Sequence, residues 1–354
     1  MTNGLLAGLP ATRRTPQRRM LQDVAGPGQT YPQTTDRLWA IVLAGGEGVR
    51  LRPLTRHLYG EERPKQYATL FGERSLLRQT LDRIALLIPP ERTVVVTMAG
   101  HLRWMGAELD VTARGPWVLA QPEDRGTAAG VLFAAHWIRM RHEEATVVVF
   151  PADHLILPEA AFMRYVEAAA EFAEASPGRL VLLGAPPTEP ESEYGWIELA
   201  DQLGSTARGP VYRVHRFVEK PPLAAARALW AAGALWSTLV FAVPAAALTG
   251  ASRECVPALD ERLRQAMAFA GTEHERWAIR QAFVLAPRAN FSRDLLEAWP
   301  LSLGVMPMSN VTWCDLGSVG RVLRTLSHLR IAPPWMAALH PPANVMLDGS
   351  VESQ

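Results

Sequence analysis

The 354-residue chain has only two cysteines, Cys255 and Cys314, too few for a disulfide framework or a thiolate metal cluster. A reducing, cytoplasmic setting fits that usage. No stretch approaches the roughly 18 charge-free apolar residues of a membrane span, so no transmembrane helix is expected. Charge of either sign is barely in excess: 36 Lys and Arg against 35 Asp and Glu leave a net charge of +1. Such a chain has no field for nucleic acid or lipid, so any anion must be met locally. Also missing are G-x-S-x-G, H-E-x-x-H, C-x-x-C and kinase H-R-D motifs, which removes the common hydrolase, metalloprotease, redox and kinase readings.

What is there begins with "WAIVLAGGEGVRLRPLTRHLYGEERPKQ", residues 39–66. An apolar run ends in Ala44 and passes into Gly45, Gly46 and Gly48, and Arg50, Arg52, Arg56, Arg63 and Lys65 follow. The spacing is neither G-x-x-x-x-G-K-[ST] nor G-x-G-x-x-G, yet glycine lets backbone N–H groups approach an anion closely. Pro64 stiffens the chain ahead of Lys65 and aims its ammonium at the same place. Further runs at 93–98, 117–120, 146–151 and 179–184 are continuous and apolar, the pattern of parallel strands buried on both faces. Helical spacing over 75–88, 126–141 and 159–175 separates them. This alternation predicts an α/β fold with a doubly wound, mostly parallel, Rossmann-like sheet. From residue 185 the period shortens to two at 193–199, 209–221 and 237–243, predicting an inserted antiparallel subdomain. Residues 310–329 read as a turn and then a helix. The expected organisation is a disordered tail over 1–36 and one domain over 37–330. Its first half, 37–184, is mainly nucleotide-binding, and 185–330 is mainly sugar-phosphate-binding. An irregular tail follows over 331–354. The Arg-rich, acid-poor start also suits an organelle-targeting segment.

Several residues offer chemistry beside the glycine loop. "FPADHLIL" places Asp153 at the carboxyl edge of a sheet, where open α/β folds bind ligands, although aspartate there also serves as a helix N-cap. Asp315, between Trp313 and Gly317, is a second carboxylate; two converging on polyphosphate can hold Mg²⁺. Gln121 offers an amide to the edge of a nucleobase, with Gly126 and Thr127 opening the helix behind it. Glu219 and Lys220 could accept from sugar hydroxyls and meet a phosphate, or form a plain surface ion pair.

The ordered set resembles the sugar-1-phosphate nucleotidyltransferases, and within them the mannose-1-phosphate guanylyltransferases. The signature G-G-x-G-x-R-L-x-P-L-[ST]-R…P-K-Q stands at Gly45–Arg56 and Pro64–Gln66. P-A-D-H is Pro151–His154, Y-G-[YW]-I-E is Tyr194–Glu198, F-x-E-K-P is Phe217–Pro221, and W-x-D-x-G is Trp313–Gly317. Two departures stand out: Val49 where the branch carries Thr or Ser, and Ser237 where W-N-[ST] carries asparagine. The resemblance implies a nucleotide-diphospho-sugar transferase fold, with GTP and mannose 1-phosphate as substrates and Mg²⁺ as cofactor. It implies Arg50 and Lys65 as catalytic cations and Asp153 and Asp315 as metal ligands. The nucleotide would meet Ala44, Gly45, Gly46, Gly48, Arg50, Gln121, Gly126 and Thr127. The sugar phosphate would meet Tyr194, Gly195, Glu219, Lys220 and Ser237. No partner of nucleic acid or membrane is expected; a homodimer is a candidate assembly, and the length suits a single-activity form. Another hexose phosphate or triphosphate, or a nucleotide-sugar-binding regulator without turnover, are the competing readings.

Overall fold

The computed structural model describes residues 36–339 apart from 107, 110–114, 300 and 301. Of the expected N-terminal tail, 1–35 lie outside the described residues. The described strands are β1 Leu38–Ala44, β2 Thr93–Met98, β3 Trp117–Gln121, β4 Thr146–Pro151, β5 Leu155–Leu157 and β6 Leu180–Ala185, then β7 Gly195–Thr206, β8 Gly209–Glu219, β9 Leu235–Pro244, β10 Leu303–Pro307 and β11 Thr312–Cys314. Nine of them form one sheet in the order β3-β2-β1-β4-β9-β6-β10-β8-β7. The runs β1, β2 and β4 are apolar and buried along nearly their whole length, and they pair in parallel, as strands covered by helices on both faces do.

The antiparallel strands continue this sheet and do not stand apart from it. β9 runs against both β4 and β6. β7 and β8 make a long hairpin at the far end, and β7 also pairs with the start of β9, Trp196 opposite Trp236. The second half therefore curls back on itself. Three strands escaped the sequence pattern, β10 and the three-residue β5 and β11; the last two pair in an antiparallel ribbon with Cys314 opposite Leu155.

One core layer packs the helix Thr127–Arg141 against the sheet with the helices Ala245–Cys255, Pro257–Met267 and Glu275–Leu285. The first of these is buried almost all round, which its uniformly apolar surface allows. The opposite layer carries Leu76–Ile84 and Glu159–Ala175. Ser75 accepts from Arg78 N at 3.0 Å and caps the former. That helix ends at Ile84, short of the expected residue 88. Inside the expected irregular C-terminal segment, Pro334–Leu339 forms a short helix. Along one edge, β1 ends in the glycine loop, β3 in Gln121 and β4 just before Asp153. The β5–β11 ribbon brings Asp315 to the same edge.

Candidate active site

A cavity of about 680 Å³ opens there, and Gly45, Lys65, Gln121, Asp153, Glu219 and Asp315 are among its lining residues. Its glycine loop is braced from below. Gln66, 1% exposed, donates through Nε2 to Ala44 O and to Gly46 O, both at 2.8 Å. Gly48 has φ 59°, and a Cβ there would lie 3.0 Å from the backbone nitrogen of Lys65. That close approach of loop and strap needs glycine. His101 Nε2 lies 3.1 Å from Glu47 Oε1, and Arg52 pairs with the same carboxylate at 2.9 Å.

Lys65 sits at the centre. Its ammonium donates to Asp315 O at 2.5 Å and pairs with Asp153 Oδ2 at 3.2 Å. The Asp315 carboxylate is held separately: Oδ1 accepts from Tyr194 OH at 2.9 Å, Gly317 N at 2.9 Å and Arg321 Nη1 at 2.7 Å. Burial works against the charged form of Asp315, but Lys65 and Arg321 outweigh it and hold the carboxyl below its ordinary range. Arg321, largely buried, also donates to Glu191 at 2.5 Å and lies over the Tyr194 ring.

His154 is neutral, pushed down to about 4 chiefly by burial. Trp313 Nε1 can only donate, and it reaches His154 Nδ1 at 3.1 Å. The proton of the neutral ring is therefore on Nε2, 3.8 Å from Asp153 Oδ1.

On one wall, the buried Gln121 amide lies against Gly45 and Gly130, and its Oε1 has no partner among the described residues. Gly126, at φ 85°, lets the helix start pass so close to Ala289 O that a Cβ would sit 2.2 Å from it. Gly126 N donates to Asp124 Oδ1 at 2.8 Å, and Thr127 Oγ1 accepts from Phe291 N at 2.9 Å. On the facing wall, Glu219, Gly195 and Ser237 line the cavity. Burial raises the Glu219 carboxyl above its usual range. Ser237 Oγ accepts from Leu239 N at 3.3 Å, across an irregular stretch of β9 where Leu239 takes φ 57°. An aliphatic side chain held in the left-handed region beside a cavity marks stored strain.

Thus most of the sequence-derived residues line one space, while Ala44, Gly48, Arg50 and Lys220 lie outside its lining. Lys220, at φ 49°, turns its side chain outward, 58% exposed. Arg50 sits at the rim, ion-paired with Glu193 and outside the cavity lining. The sequence reading missed Arg321, Glu191 and Glu193, whose contacts (Arg321 with Asp315 and Glu191, Glu193 with Arg50) span 6 to 143 positions and leave no local pattern. The bracing by Gln66 had a signal, its place after Pro64-Lys65. Among the described residues no trio of His, Cys, Asp or Glu is arranged as a metal cage. None of the described helices is long and apolar enough to cross a membrane.

Residues 39–329 match the family described as Nucleotidyl transferase. The Xanthan biosynthesis protein XanB of Xanthomonas campestris pv. campestris is 33% identical over 287 residues, covering 80% of this chain and 58% of that protein. Mannose-1-phosphate guanylyltransferase ManC of Salmonella typhimurium is 30% identical over 299 residues, covering 82% of this chain and 60% of that protein. The chain thus spans less than two thirds of the length of these relatives. A solved structure from Thermus thermophilus, described as a mannose-1-phosphate geranyltransferase, superposes with a TM-score of 0.71 at 30% identity, covering 84% of this chain and 80% of that one.

Proposed function

Because the chain belongs to the nucleotidyl transferase family, we propose that it transfers the guanylyl group of GTP to mannose 1-phosphate, giving GDP-mannose and pyrophosphate. The observation that carries the reading is the Lys65 ammonium between Asp153 and Asp315, with the glycine loop on one side of it and Glu219 and Ser237 on the other.

In this reaction a phosphate oxygen of the sugar phosphate attacks the α-phosphorus. The new P–O bond forms as the bond to the β-phosphate bridging oxygen breaks, and that oxygen's electron pair leaves with pyrophosphate. Catalysis is then positioning and charge neutralisation. The glycine loop's N–H groups receive the β- and γ-phosphates. Lys65 leaves Asp153 for the α-phosphoryl oxygens, where negative charge grows. Arg50 meets the departing pyrophosphate. Gln121 lines the cavity and offers its amide to the edge of the base. Glu219, Tyr194, Gly195 and Ser237 line the sugar end, where the serine leaves room for a bridging water.

Mg²⁺ suits the donor set: the hard Asp153 carboxylate already pairs with a cation, the nearby Asp315 carboxylate is kept in its charged form, and this ion needs few protein ligands when phosphates supply the rest. Asp153 and Asp315 would hold it, and its charge would offset that of the phosphate oxygens. A reducing, cytoplasmic setting is supported by two free thiols, Cys255 and Cys314.

The test is pyrophosphate release by purified protein with Mg²⁺, run over four nucleoside triphosphates and several hexose 1-phosphates. Highest kcat/KM for GTP with mannose 1-phosphate is expected. Preference for another pair overturns the substrate assignment, and no release with any pair overturns the enzyme assignment.

A further inference from the structure

Arg50, the cation assigned above to the leaving pyrophosphate, is not free to receive it. Its guanidinium is paired with the Glu193 carboxylate at the cavity rim. Both side chains are about half exposed, 52% and 46%, so the pair is a weak one that an incoming anion can displace. The displaced carboxylate has somewhere to go. Arg321 Nη2 already lies 3.5 Å from Glu193 Oε2, and this guanidinium is fixed by Asp315 and Glu191. Arg50 also approaches the Gly317 turn: a Cβ at Gly317 would lie 3.1 Å from Arg50 Nη2, 2.8 Å from Arg321 Nη1 and 2.5 Å from Asp315 Oδ2. Arg50 thus reaches, from the other half of the chain, the turn that carries Asp315 and leads to Arg321.

We infer that Glu193 sets the affinity for the triphosphate by standing in for phosphate on Arg50, and that it passes to Arg321 when the polyphosphate takes Arg50. The inference rests on the reading of the cavity as a triphosphate site. In the exchange Arg50 trades the Glu193 carboxylate for phosphate, and Glu193, already 3.5 Å from Arg321 Nη2, closes on that guanidinium. Glu193 also keeps the cavity mouth from presenting a bare Arg50 guanidinium in the free protein. The cost falls on binding, since GTP must compete with a tethered carboxylate.

The experiment measures the dissociation constants of GTP and of inorganic pyrophosphate by calorimetry, with Mg²⁺ and without sugar phosphate. Glu193→Gln is expected to bind both about 2- to 5-fold more tightly, the weight of one exposed ion pair. In an Arg50→Gln background the same substitution should give no gain, because the two residues act through one contact. Glu62→Gln serves as the comparison, since Glu62 pairs with Arg52 and Arg56 beside the same loop without touching Arg50. An equal gain from Glu62→Gln, or a gain that persists without Arg50, reduces the effect to general charge and overturns the exchange. Affinities in Glu193→Gln equal to those of the wild type overturn it too, while leaving the triphosphate site standing. Absence of binding by the wild type overturns both.

Discussion

Replacing Gln66 by leucine should loosen the glycine loop while sparing the fold. The side chain is buried and its Nε2 bridges Ala44 O and Gly46 O at 2.8 Å each. Two such bonds are worth about 1–3 kcal/mol together, at roughly 0.5–1.5 each. Ala44 O keeps two longer donors, Tyr67 OH at 3.4 Å and Thr97 Oγ1 at 3.3 Å, which soften its loss. Gln66 Oε1 is buried without a partner among the described residues, so removing it returns on the order of 1 kcal/mol. The net destabilisation is therefore about 0–2 kcal/mol, a melting shift of no more than roughly 3 °C for a domain of this size at about 2.1 cal/mol/K per residue. Binding should suffer more visibly. If about 1.4 kcal/mol of the bracing goes into holding the loop ready, GTP affinity falls about tenfold. The assay pairs a thermal melt with GTP titration in Mg²⁺. A variant that melts a few degrees lower yet binds GTP within twofold of wild type would refute the reasoning. The loop would then need no bracing, or would not be the phosphate site.

Other substitutions probe separate parts of the site and the fold. Gly126→Ala places a Cβ 2.2 Å from Ala289 O at a positive φ. It should lower the melting temperature and weaken nucleotide binding together, as a combined melt and titration would show. Asp153→Asn and Asp315→Asn should each remove most Mg²⁺-dependent turnover with the far-UV spectrum retained. The double variant should be little worse than either, and additive losses would show that the two carboxylates do not act as a unit. Asp260, beneath the helix Thr127–Arg141, is disfavoured by burial, yet His136 and Ser252 hold its carboxyl below the ordinary range. Its folded pKa is the lower one, so its contribution to stability is present above the unfolded value near 3.9 and is lost as pH falls through the folded value. Urea midpoints compared between pH 6 and pH 3 should therefore fall less in Asp260→Asn than in wild type.

How much of this was legible in the sequence depended on the range of the interaction. β1, β2 and β4 were plain because a strand buried on both faces is a continuous apolar run, readable without its neighbours. β5 and β11 were not, because three residues carry no period; only their pairing makes them a ribbon. The closing of β7 onto β9 was also hidden, since Trp196 and Trp236 are 40 positions apart and either would suit any buried strand. Within the site, the glycine loop, Lys65, Asp153 and Asp315 sit in short motifs. Arg321 looked like one polar position on an amphipathic helix, and nothing local says that it turns inward onto Asp315. Lys220 shows the converse: the motif names the residue, but its left-handed backbone sends the ammonium to solvent.

Lys65 is central to the proposed chemistry, held between the Asp153 carboxylate and the Asp315 backbone carbonyl in the described structure and assigned to the α-phosphoryl oxygens during transfer. Steady-state turnover of Lys65→Ala with GTP, mannose 1-phosphate and Mg²⁺, set beside its sugar phosphate affinity, tests that role most directly. The predicted result is a fall in kcat of about 10²–10³, the usual loss for one group aimed at developing charge, with sugar phosphate binding kept within a few-fold. Turnover near the wild-type rate would contradict it.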